Sequence, residues 1–143
     1  MSTEDNKATM RKFYETMSQG NPSLFVDTFI DPNQVDHSAP PGMPGGIEGA
    51  KQMVGMFLTA FPDLHFTVED MIAEGDKVVA RATFSGTQQG AFMGIPPTGK
   101  HVMWKVIDIN RIAGGKSVEH WMEMDMLGMM QQLGVVPAPG QAS

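Results

Sequence analysis

Apolar positions recur every three or four residues in the first part of the chain and alternate with polar ones in the second. Met10, Phe13, Tyr14 and Met17 form one stripe, which predicts a helix over Thr3–Gln19 that stops at Gly20. Asn21-Pro22 reads as a cap followed by proline at the first helical position. Leu24, Phe25, Thr28 and Phe29 give that second helix an inward face, and Asp31-Pro32 ends it. Gln34–His37 reads as a short extended piece, and Ser38–Gly46, with three prolines and three glycines, as a loop. Ile47, Ala50, Met53, Val54, Phe57 and Leu58 predict a third helix over Ile47–Phe61. Strands follow over Leu64–Ile72, Lys77–Ser85, Lys100–Ile112 and Lys116–Met124. In the first of them Leu64, Phe66, Val68, Asp70 and Ile72 share one side. A long loop covers Gly86–Gly99, and Met126–Leu133 is a short last helix.

Three helices, four long strands in meander and a closing helix make an α+β plan. A curved antiparallel sheet wrapped around the helices leaves a deep pocket open at one end. With 143 residues the chain reads as one domain over 1–134, followed by a loose tail over 135–143. The net charge of −6 and the absence of a basic stripe argue against nucleic acid or an anionic membrane as partner. No cysteine is present, so thiol nucleophiles and thiolate metal sites are excluded. The four histidines show no metal-ligand spacing, and neither a metal nor a cofactor is expected. No run reads as a signal peptide or a spanning helix, so a soluble, cytoplasmic protein is expected. The 14 methionines suit an irregular core or a pocket for a flat apolar ligand.

Function turns on the last hairpin. A two-residue Gly114-Gly115 turn pairs Ala113 with Lys116 and places Asp108 opposite Trp121 and Trp104 opposite Asp125. One face then carries Trp104, Asp108, Asn110, Glu119, Trp121 and Asp125, fit to line the cup. The other carries Ile107, Ile109, Val118, His120, Met122 and Met124, fit to pack on helices or on a second subunit. A three-residue turn pairs Ile112 with Lys116, puts His120 opposite Asp108 and moves Asp125 to the other face. Gly-Gly favours the first register, because a type I′ turn needs positive φ at both positions.

The runs FPDLHFTVEDMIAEGDKVVARATFSGT, GAFMGIPPTGK and RIAGGKSVEHWMEMDMLGMMQQLG carry a family resemblance. Together they span residues 61–134 and resemble the SnoaL-like polyketide cyclases of the NTF2-like superfamily. The resemblance implies a cone-shaped fold and a cofactor-independent intramolecular aldol cyclisation of a small, apolar or aromatic, polyketide-like substrate. It places the catalytic aspartate at Asp125 and a second polar position, often histidine in the family, at Asp108. A third histidine position falls on Gln88, where this chain reads GTQQG.

Asp125 and Asp108 are thus the candidate catalytic residues, and Asp125 is equally placed to cap the last helix. Two carboxyls in one apolar pocket do not ionise together easily, which suits one as acid and the other as base. Gln88, Trp104, Trp121, His37 and His120 are the candidate substrate-binding residues. His120 falls on the helix-packing face of the Gly-Gly register, and His37 precedes the Pro-Gly loop at the expected mouth. The same cup also fits an isomerase, a dehydratase, an epoxide hydrolase using Arg81 or Arg111, or a non-catalytic ligand carrier. The apolar outer face predicts a homodimer.

Overall fold

A computed structural model describes residues 2–18, 22–39, 41–137 and 140 of the chain. The expected stop at Gly20, the cap at Asn21 and most of the tail lie outside the described residues. The element order is α1 (Thr3–Ser18), α2 (Pro22–Phe29), β1 (Ile30–Asp36), α3 (Gly46–Ala60), β2 (His65–Glu74), β3 (Lys77–Thr87), β4 (His101–Ala113), β5 (Lys116–Met124) and α4 (Met126–Leu133). The predicted α+β class and its helices are therefore present, with ends displaced by a few residues.

The sheet has five strands in the order β1-β5-β4-β3-β2. The extra strand is β1, which is longer than the predicted extended piece and contains Asp31 and Pro32. It joins as an edge strand parallel to β5, with Val35 opposite Glu119 and Asp36 opposite His120. An edge tolerates Pro32, because a proline there removes no central ladder bond. In β2 an irregularity between Val68 and Asp70 changes the facing residues. Phe66, Val68, Met71 and Ala73 pack inward, while Ile72 is 61% exposed, so the predicted single face holds only as far as Val68.

The β4–β5 hairpin follows neither anticipated register throughout. Gly114 and Gly115 have φ of 59° and 78°, and Ala113 pairs with Lys116, as the two-residue turn requires. One pair later the register slips. Ile112 faces Ser117, but Arg111 faces Glu119, so Val118 is an extra residue on β5. Beyond it Asn110 faces His120, Asp108 faces Met122 and Val106 faces Met124. The pairings of Asp108 with Trp121 and of Trp104 with Asp125 expected from the two-residue turn do not occur, and neither does the pairing of Asp108 with His120 expected from the three-residue turn. The turn is that of the two-residue register, and only the division of side chains between the two faces matches the three-residue one.

The inner face of β3 and β4 carries Val78, Ala80, Ala82, Phe84, Trp104, Val106, Asp108 and Asn110, all buried. Phe57 and Phe61 at the end of α3 close against Trp104, with ring centroids 6.1 and 5.1 Å away. Phe13 and Phe29 join α1 to α2 at 4.3 Å. The helices cover one end of this concave face and leave the other hollow.

If the positive φ at the turn holds the hairpin in register, Gly115→Ala costs about 1–2 kcal/mol, the penalty for a side chain in the left-handed region. Chemical denaturation of the variant measures it, and no loss would mean that the turn readily adopts another form.

Candidate active site

The hollow end is a cavity of about 150 Å³ between α1, α3 and the inner sheet face. Its walls are mostly apolar and include Phe13, Met53, Phe66, Phe84, Met122 and Met124. Its polar lining comes from Tyr14 on α1, Gln34 and Asp36 on β1, Ser38 after it, Asp108 and Asn110 on β4, and His120 on β5. Strand alternation explains the grouping. Asp108 and Asn110 are two residues apart and point inward, and the Val118 bulge turns His120 to the same side.

Asp108 is fully buried and central to the polar group. Its Oδ2 accepts from the Tyr14 hydroxyl at 2.6 Å. Its Oδ1 lies 2.5 Å from His120 Nε2 and accepts from Asn110 Nδ2 at 3.3 Å. On the other side of the ring, His120 Nδ1 lies 3.1 Å from Asp36 Oδ1. The same Asp36 oxygen accepts from the backbone N–H and hydroxyl of Ser38 at 2.9 and 2.6 Å. Asn110 is held in turn, because Ser117 donates to its Oδ1 at 2.5 Å and Gln34 donates to Ser117 at 2.7 Å. One hydrogen-bonded network thus joins α1, β1, β4 and β5.

The two carboxyls determine the state of the imidazole. Burial alone would lower the His120 pKa, but Asp108, by charge and hydrogen bond, and then Asp36 outweigh it and push the value up to about 10. For Asp36 burial acts upward, yet the bonds from His120 and Ser38 prevail and bring its pKa down to about 2. Burial, reinforced by the neighbouring Asp108 carboxyl, holds the Tyr14 phenol well above its ordinary range. His120 is therefore an imidazolium at neutral pH, with both nitrogens donating.

The sequence-predicted residues divide. Asp108 and His120 meet in the cavity, although the favoured register had placed His120 on the opposite face. Asp125 does not join them. It is exposed, its backbone N–H donates to Lys105 O at 2.9 Å, and its Oδ1 accepts from the Gly128 N–H at 2.9 Å as the cap of α4. Gln88 is buried away from the cavity lining. Its side chain pins the β3–β4 loop by donating to Ile95 O at 3.2 Å and accepting from the Thr98 hydroxyl at 2.7 Å. Trp104 shares the inner face with Asp108 but is packed into the aromatic core beyond the cavity. Trp121 points to the outer face, where His37 stacks on it at 5.0 Å and Lys77 Nζ lies 5.3 Å from the ring centroid. His37 Nε2 lies 2.7 Å from Glu119 Oε2, so both are held at the surface. Tyr14 and Asp36 are site residues that the pattern did not single out. Tyr14 read as one more member of an apolar helical stripe, and the only hint of Asp36 was its place beside His37. Among the described residues no group of three or more His, Asp or Glu side chains is disposed to hold a metal ion. No described helix is long and apolar enough to cross a membrane.

The sequence profile of the SnoaL-like polyketide cyclases matches residues 8–133. The chain belongs to the SnoaL-like polyketide cyclase family. Solved structures agree with this membership. TsrD from Streptomyces laurentii is similar at 34% identity and a TM-score of 0.86, over 95% of this chain and 99% of that one. AclR from Streptomyces galilaeus, a candidate hydroxylase, is similar at 31% identity and a TM-score of 0.83, over 96% and 89%. IdmH from Streptomyces antibioticus, a candidate polyketide cyclase, is similar at 33% identity and a TM-score of 0.79, over 91% and 99%. No curated protein matches the chain. This SnoaL-like protein thus has the family fold, with a polar centre built on Asp108 and His120.

The raised His120 pKa sets a pH dependence. A group with a higher pKa in the folded state stabilises fully below its unfolded value, here 6.5, and loses that contribution as pH rises through about 10. Asp36 acts in the opposite sense, with stability present above 3.8 and lost as pH falls through about 2. The thermal midpoint should therefore fall between pH 7 and about pH 10, and His120→Gln should flatten that fall. Parallel curves for the two proteins would contradict the clamp.

Proposed function

We propose that this SnoaL-like protein is a cofactor-independent enzyme that moves a proton at a carbon beside a carbonyl, with aldol-type ring closure as the reaction. The observation that carries this reading is a buried carboxyl, Asp108, lining an apolar cavity within hydrogen-bond reach of Tyr14 and His120. Asp108 takes the proton from the carbon, and the enolate so formed attacks a second carbonyl within the same molecule. The new alkoxide then recovers the proton from Asp108, so the product is an isomer of the substrate and no proton is lost overall. The apolar walls keep the substrate folded and exclude water, which contributes orientation. The imidazolium of His120 and the Tyr14 hydroxyl stabilise the charge that passes through the site.

Isomerisation or dehydration of a ketone begins with the same proton abstraction, so both share this site. Epoxide hydrolysis by an Asp–Arg–Asp set is disfavoured. Arg111 is held by Glu119 at 3.0 Å, Arg81 is exposed, and neither lines the cavity. Assembly as a homodimer through the outer sheet face is supported by the exposed Ile72, Met103 and Ile107.

Deuterium exchange at the carbon beside the carbonyl of α-tetralone in heavy water, followed by proton NMR, tests the reading. The unaltered protein should accelerate exchange, and Asp108→Asn should lower the enzymatic rate by about a hundredfold or more. Asp125→Asn should leave the rate near that of the unaltered protein. A rate lost in Asp125→Asn and kept in Asp108→Asn would transfer the base to Asp125.

A further inference from the structure

Ser117 is fully buried behind the cavity and does not line it, whereas its two partners, Gln34 and Asn110, do. The hydrogen bonds among these three side chains have a direction, and the carboxylate at their end sets it. As an ionised base Asp108 can only accept, so the Asn110 atom 3.3 Å from its Oδ1 is the amide nitrogen. The Asn110 carbonyl oxygen therefore turns to Ser117, whose hydroxyl gives it its single proton at 2.5 Å. The Ser117 oxygen is left as an acceptor, and Gln34 Nε2 donates to it at 2.7 Å. A second acceptor for the Ser117 proton, Glu119 O, lies at 3.4 Å and competes poorly with the shorter bond. Donors thus run one way, from the edge strand β1 through β5 and β4 to the base. The β1–β5 register is interrupted between Ile30 and Val35, and the Gln34 side chain bridges that interruption.

The two oxygens of Asp108 are unequally engaged. Oδ1 accepts from His120 Nε2 at 2.5 Å and from Asn110 Nδ2 at 3.3 Å, one donor for each of its lone pairs. Among the described residues only the Tyr14 hydroxyl donates to Oδ2, at 2.6 Å, so one lone pair remains there. We infer that Oδ2 is the oxygen that receives the substrate proton, and that Ser117 is a positioning residue that keeps Oδ1 engaged by fixing the Asn110 amide. This role rests on the proposed acid–base reading and names the reacting atom of its base. Without the Ser117 proton the Asn110 oxygen is buried with no donor, and nothing holds the amide plane against rotation. Oδ1 then regains a free lone pair, and the carboxylate loses the constraint that leaves Oδ2 as the open acceptor. Ser117 lies outside the cavity lining, so its removal acts on turnover rather than on substrate binding.

Exchange of α-tetralone in heavy water, measured over a range of ketone concentrations, tests the role. Ser117→Ala should lower kcat about tenfold, the value of one buried hydrogen bond, and leave KM unchanged. Ser117→Thr, which keeps the hydroxyl, should retain more of the rate than Ser117→Ala. In a protein already carrying Asn110→Ala, Ser117→Ala should cost nothing more, because the two act as a unit. A merely structural role would instead lower the rate by the same factor in both backgrounds. Proton NMR of the free, unaltered protein provides the test if the variants fail to fold. A buried, donated hydroxyl proton exchanges slowly with water, so Ser117 should show a resolved hydroxyl signal with a nuclear Overhauser contact to the Asn110 side chain. An unchanged kcat in Ser117→Ala, an equal loss in both backgrounds, or no such hydroxyl signal would overturn the inference. The outcome is separable from that of the acid–base reading. Exchange that persists at full rate in Ser117→Ala would remove the positioning role and leave the enzyme reading standing. No accelerated exchange in the unaltered protein would remove both, even with the hydroxyl signal present.

Discussion

A buried imidazole between two carboxyl groups is stable only if all three stay in place. Removing either carboxyl would leave charge in an apolar enclosure without its partner, an arrangement that commonly costs about 3–5 kcal/mol. In this protein the three groups come from three strands: Asp36 from β1, Asp108 from β4 and His120 from β5. The clamp therefore also holds the edge strand, because β1 has few paired positions with β5 and is interrupted between Ile30 and Val35. Tyr14 brings α1 into the same network through its bond to Asp108. The group that would perform the chemistry thus also fixes the strands and helix that shape the cavity.

The arrangement depends on one inserted residue. Without the extra Val118, a ladder continuing from the Gly114-Gly115 turn would set Trp121 opposite Asp108 and turn His120 outward. The bulge brings His120, Met122 and Met124 inside and leaves Glu119 and Trp121 outside, where Arg111, His37 and Lys77 meet them. Each face then has matched neighbours. The methionines line an apolar cavity, and the ionic pairs lie on the solvent side, where they contribute little to stability.

Much of the fold was legible in the sequence because its signals are local. The helical stripes, the Gly-Gly turn and the alternation that puts Trp104, Asp108 and Asn110 on one face all lie within a few residues of each other. Asp108 was legible as a pocket candidate because an aspartate in a strand between Ile107 and Ile109 is unusual, and it does line the cavity. The bulge was not, because the contacts that stabilise it are long-range: Asp36 to His120 across 84 positions and Tyr14 to Asp108 across 94. Asp125 shows the complementary limit. Its place before an apolar helix fits a cap as well as a catalytic group, and the structure gives it the cap bond to Gly128.

Asp36 and Asp108 hold His120 as an imidazolium. Nitrogen NMR of the His120 ring in the free protein at pH 8 measures this directly. Two protonated ring nitrogens are expected, each bonded to a carboxyl oxygen, with no titration of the ring near pH 6.5. A neutral ring with one protonated nitrogen, titrating near its ordinary value, would contradict it.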